Sequence, residues 1–166
     1  MKIAYLLVLC SVAATGFAAP QTKPISLYRK WLNEDVTYII TPGERAAFKR
    51  LNTDAERKDF IEQFWLRRDP TPGTGENEFK DEHYRRIAYA NEHFGSQIPG
   101  WKTDRGRIYI VFGPPDEIED HSSPINWTYH YMDGIGTNVK VQFVDSTGVG
   151  EFHMIIDPNH PLGNGN

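Results

Sequence analysis

Hydrophobic positions change their spacing once along this chain, near Gly100. Before that point the apolar residues recur at helical intervals. Tyr28, Trp31 and Leu32 stand at i, i+3 and i+4, so this stretch can bury one face. Thr41-Pro42-Gly43-Glu44 is a helix start: Thr41 caps, Pro42 suits the first helical position, and Glu44 closes a capping box. Thr53-Asp54-Ala55-Glu56 repeats the device ahead of Phe60, Ile61, Phe64 and Trp65, a stripe at helical spacing. Pro70 and Pro72 end that helix, and Asp69 to Gly75 reads as an irregular connection. A further amphipathic helix is expected over Asn77 to Phe94, with Phe79, Tyr84, Ile87, Ala88 and Ala90 facing inward.

After Gly100 the period becomes two. Arg107 to Phe112 is rich in β-branched and aromatic residues and stops at Gly113-Pro114-Pro115, so a strand is expected there. Trp127 to Met132, Val139 to Phe143 and Phe152 to Ile156 alternate apolar with polar positions. Asp133 to Gly136 and Ser146 to Gly150 supply the turns between them. Alternation with one polar face marks antiparallel strands covered on one side. Helices first and strands last define an α+β class, with N-terminal helices packed on one face of a C-terminal antiparallel sheet of about four strands.

The first residues alter the picture of where such a domain works. Lys2 precedes the apolar run Ile3 to Val12, and Gly16 and Ala18 stand at −3 and −1 of a cut after Ala18. That is the layout of a secretory signal peptide over residues 1–18. It predicts an extracytoplasmic protein, periplasmic or secreted, with a flexible leader over 19–27, one domain over 28–157 and a flexible tail over 158–166. The apolar run is too short to span a bilayer, which needs about 20 residues. Cys10, the single cysteine, leaves with the signal, so thiol chemistry and cysteine-based zinc sites are excluded from the mature chain. A net charge of −4, made more acidic by the loss of Lys2, speaks against nucleic acid as a partner.

The segment Gly100-Trp101-Lys102-Thr103-Asp104-Arg105-Gly106-Arg107, continued by Ile108 to Ile118, resembles the bacterial GWxTD-domain family. Phe64-Trp65-Leu66-Arg67-Arg68-Asp69-Pro70-Thr71-Pro72 and His83 to Asn91 resemble it as well, so the likeness runs over nearly the whole mature chain. The short connection from Glu119 to Trp127 departs from it, since longer insertions are expected in relatives. The resemblance implies an exported bacterial protein and brings no activity with it.

Candidate chemistry is sparse. Arg67, Arg68, Arg85 and Arg105, with Trp101 and Asp104, form the candidate ligand-binding set. Guanidinium groups grip carboxylates or phosphates in a fork, and the same fork can lock irregular backbone against Asp69, Glu82 or Asp104. The structural use is the expected one, and Trp101 is expected to plug one end of the core. The acidic run Asp116, Glu117, Glu119 and Asp120, with His121, is the candidate for a hard cation, although it lacks EF-hand spacing. His130 and His153 would meet if their strands were neighbours. Gly-x-Ser-x-Gly and phosphate-binding glycine loops are absent from the sequence, and no motif calls for a cofactor. The expected function is a binding or assembly module of the cell envelope, taking an envelope protein or glycan. The alternative is a carboxylate- or metal-dependent hydrolase of envelope glycans or peptides, for which Glu78, Glu82 and Glu117 are possible members.

Overall fold

The computed structural model describes residues 24–120 and 123–155. Helix α1 (Pro24–Lys30) runs into a single π-turn at Trp31–Asp35, closed by the Val36 amide on the Trp31 carbonyl at 3.0 Å. Residues 24–27, assigned to the leader on sequence, are therefore the first turn of α1. Helices α2 (Pro42–Lys49) and α3 (Asp54–Leu66) both begin with the expected capping boxes. Helix α4 (Glu78–His93) starts at Asn77, whose side chain accepts from the Lys80 amide at 2.9 Å. A 3₁₀ turn at Gly100–Lys102 then leads into α5 (Asp104–Phe112).

Helix α5 is a correction. The run Arg107 to Phe112, expected as a strand, is helical. Thr103 caps it, accepting from the Gly106 amide at 3.0 Å, and Gly113 ends it at a φ of +88°. Burial explains the misleading composition: Gly106, Ile108 and Ile110 are all buried, and a helix covered on several sides carries apolar residues all round. Packing outweighs the modest strand preference of Ile and Val.

Four strands form one antiparallel sheet in the order β1 (Glu117–Glu119), β2 (Ile125–Met132), β3 (Gly136–Val144), β4 (His153–Ile155). The expected count survives because β1 comes from the acidic run instead of from residues 107–112. In the central pair Trp127 faces Val141 and Ile125 faces Phe143. Ile125, Trp127, Tyr129, Val139, Val141 and Phe143 point into one core with Ile108 of α5, and Phe94 at the end of α4 packs on it.

A second core lies among the N-terminal helices: Trp31, Leu32, Val36, Ile40, Phe48, Phe64 and Trp65, with Tyr84 of α4 against them. Trp31 and Phe64 meet edge to face at 5.2 Å. Helix α4 thus joins the two cores, Tyr84 toward one and Phe94 toward the other.

Candidate functional site

The segment Gly100 to Asp104 sits where α4, α5 and β4 meet, and most of it holds that junction together. The Thr103 hydroxyl donates to the Gly100 carbonyl at 2.8 Å while capping α5. Asp104, first residue of α5, accepts the Met154 amide of β4 at 2.8 Å and pairs with Arg107 at 3.8 Å. Gly100 lies so close to α4 that a Cβ would meet the Ala90 carbonyl oxygen at 1.8 Å.

Trp101 differs from its neighbours. Its amide donates to Asn91 Oδ1 at 3.0 Å, and its carbonyl accepts from Tyr38 Oη at 2.9 Å. The backbone is thereby held from both sides, yet the indole is only half-buried. Trp101 belongs to neither core, whereas the other three tryptophans, Trp31, Trp65 and Trp127, are 3–5 % exposed and form them. Trp101 instead borders a groove of about 360 Å³ with Lys30, Glu34, Asp35, Ile87, Asn91 and Pro99. The Lys102 ammonium lies 5.1 Å from the indole ring.

Asp35 is the polar anchor of the groove. It ends the π-turn, its carboxylate is 15 % exposed, and it takes Lys30 as its ion pair and Tyr84 Oη at 3.5 Å. Its carbonyl accepts from His83 Nε2 at 2.6 Å. Burial pushes the His83 imidazole below its ordinary value despite that bond. Burial also raises the Tyr84 phenol, to about 12, with the Asp35 carboxylate adding to the shift. Sequence reading missed this set. Asp35 carries no periodic signal, and a π-turn has none either.

The arginines do not converge on one pocket. Arg67 and Arg68 share Glu44, at 3.1 and 2.8 Å, so the partner is the capping acid of α2 and not Asp69. Asp69 instead accepts the Thr71 amide at 2.9 Å. Arg85 pairs with Glu82, the acid expected for it, but its side chain is 75 % exposed and not buried as a structural lock requires; Arg86 pairs with the same acid at 2.7 Å. Arg86 also reaches the Ile110 and Val111 carbonyls at 3.4 Å, which caps the end of α5.

Arg105 also departs from expectation: among the described residues it pairs with no carboxylate. Its guanidinium lies over Phe152 at 4.2 Å and Phe94 at 5.1 Å, and among the described residues its buried Nε has no partner. Burial lowers its affinity for the proton, and Asp120 opposes that from a distance.

The acidic run does not gather. Asp116 accepts the His130 amide at 2.6 Å, Glu119 accepts from Asn126 at 3.0 Å, and Glu117 lies exposed 3.7 Å from His130. Asp120 is exposed, His121 lies outside the described residues, and among the described residues no group of three acids or histidines could hold a metal. His130 on β2 and His153 on β4 are separated by β3, so the imidazoles do not meet. Trp127 and Tyr129 are core, whereas Tyr131 is exposed.

The geometry defines an α+β domain whose signature turn joins helix to sheet and presents one half-open tryptophan. The chain belongs to the GWxTD domain family, whose family model matches residues 14–153. No curated protein and no solved structure matches it. Among the described residues no helix is long and apolar enough to cross a membrane.

Proposed function

We propose that this chain is an exported binding module of the cell envelope, holding a glycan or a protein segment in the groove beside Trp101. The observation that carries the reading is the mount of that indole. Asn91, Tyr38 and the close approach of Gly100 to α4 fix its backbone, while the ring stays open to a groove with two acids, an amide and a lysine around it. Preorganised aromatic faces flanked by a few polar groups are how compact sites combine affinity with orientation.

Of the acids named for the hydrolase alternative, Glu78 and Glu82 are not tuned as general acids. A general acid needs a raised pKa. Bonds from the Thr71 hydroxyl and from its own amide hold the Glu78 carboxyl below the usual range. Burial pushes Glu82 up, but the bonds from Arg86 and Arg85 outweigh it and leave it low as well.

The native chain and one variant test the proposal. N-terminal sequencing of the protein from its native host should return Ala19 as first residue, and intact Met1 would refute export. Trp101→Ala should cost only about 2 kcal/mol, below the ~3–5 kcal/mol of emptying a core aromatic site, because the ring is half-buried. The variant should lose retention of envelope glycans and peptides on the immobilised chain. Iodide should quench one tryptophan of four in the wild type and none in the variant. Unchanged retention by the variant would remove Trp101 from the site.

A further inference from the structure

We propose a second binding site, for a single-chain anionic amphiphile, in the groove between the first helical segment and the α2–α3 corner. The groove holds about 690 Å³, within the usual range of roughly 300–1,000 Å³ for small-molecule sites. Its floor is apolar and rigid. Leu32 and Phe48 are 7 % and 4 % exposed, and Phe48 is wedged against Trp31 at 4.9 Å and Phe60 at 5.4 Å. Tyr28 forms one wall.

The rim is cationic. Arg29, Lys49 and Arg57 line it against a single acid, Asp54. Asp54 is already taken by Arg57 at 3.2 Å, and Arg57 also donates to the Leu51 carbonyl at 2.6 Å and lies 5.8 Å over the Tyr28 ring. Arg29 and Lys49 are both exposed, and among the described residues neither pairs with a carboxylate. Two uncommitted cations at the lip of an apolar trough, on a chain of net charge −4, select a ligand with an apolar tail and one anionic head.

The site is independent of the Trp101 groove. Arg29, Leu32 and Asn33 face this one, whereas Lys30, Glu34 and Asp35 of the same segment face the other.

The test is calorimetric titration of the chain spanning residues 19–166 with sodium dodecanoate and with dodecyltrimethylammonium, each below its micelle threshold. The two probes share a tail and differ in head charge. Dodecanoate should bind at one site with micromolar affinity, and the cationic twin at least tenfold more weakly. The double variant R29E/K49E changes only exposed side chains, so it should stay folded, with a small drop of its melt from the acids placed in the last turns of α1 and α2. It should weaken dodecanoate about tenfold, because both cations that attract the carboxylate head are replaced by acids that repel it. Trp101→Ala should leave dodecanoate binding unchanged, which keeps this site separable from the proposed glycan or peptide groove. Equal affinity for the two probes, no binding of either, or indifference to R29E/K49E would overturn the proposal. So would binding to anionic phospholipid vesicles without one-to-one binding of dodecanoate, which would mark a membrane-facing surface instead.

Discussion

Gly100→Ala should be the most damaging single-methyl change in the protein, costing about 4 kcal/mol or more in a urea melt. A Cβ there would sit 1.8 Å from the Ala90 carbonyl oxygen, 2.5 Å from its carbon and 2.8 Å from Asn91 Cα. All three atoms belong to the backbone of α4 and cannot swing aside. Relief requires the 3₁₀ turn to move off α4, which breaks the Trp101 amide bond to Asn91 and opens the groove. Gly106 repeats the constraint one layer on, since its Cβ would meet the Gly100 carbonyl oxygen at 1.9 Å. The glycines are therefore required by close approach of backbones and not by a left-handed φ. Gly43 is the control. It lies in α2 with nothing within 4 Å of an added Cβ, so Gly43→Ala should be neutral or stabilising by up to about 1 kcal/mol. A Gly100→Ala midpoint equal to that of the wild type would refute the packing argument.

Glu44→Gln should cost roughly 2–4 kcal/mol, because one carboxylate serves two structures at once. It closes the α2 capping box by accepting the Thr41 amide at 3.0 Å, and it pairs with Arg68 at 2.8 Å and Arg67 at 3.1 Å. Arg68 is 18 % exposed at its side chain and lies 3.7 Å over the Phe64 ring, so it has little water to fall back on. The Arg68 bond, opposed by burial and helped by the Thr41 amide and Arg67, lowers the Glu44 pKa from 4.5 to about 2. A carboxyl whose folded pKa is depressed stabilises the fold fully above its unfolded value, and that contribution fades as pH falls toward the folded one. The stability gap between wild type and Glu44→Gln should hold constant above pH 4.5 and close progressively down to pH 2. A gap that persisted unchanged at pH 2 would show that the carboxylate charge is not the cause.

The two predictions act on different halves of the molecule. Glu44 joins α2 to the end of α3 beside the N-terminal core, where Arg68 also donates to the Ile39 carbonyl at 3.2 Å. Gly100 sets the distance between α4 and the turn that carries Trp101. Only the second should disturb ligand retention at the Trp101 groove beyond its effect on stability.

Local order was legible in the chain itself. Both capping boxes formed at the expected threonines, because a cap is made by residues three apart and needs nothing from elsewhere. The central hairpin formed in the expected phase as far as Tyr129, since only one register buries Trp127, Tyr129, Val139, Val141 and Phe143 together, whereas at the end of β2 the expected alternation fails: Tyr131 is exposed and Met132 is buried. The aromatic stripe of α3 delivered Phe64 and Trp65 to the core, as helical spacing requires.

Other features depended on partners distant in sequence. A continuous apolar run such as Ile108 to Phe112 suits a buried helix as well as a buried strand, and only enclosure by α4, the 3₁₀ turn and the sheet made it a helix. Glu44 reads as a cap alone until α3 brings Arg67 and Arg68, more than twenty residues away, onto the same carboxylate. Arg105 reads as one member of an arginine cluster until the rings of Phe94 and Phe152 meet its guanidinium, and among the described residues it pairs with no acid. Trp101 reads as core because most tryptophans are, whereas in the fold it borders a groove between the first helical segment and α4. Cap and period signals act over a few residues, and they determined the elements. Burial and charge pairing are sums over segments that meet only in the folded chain, so tertiary structure alone decided which of those elements could form a site.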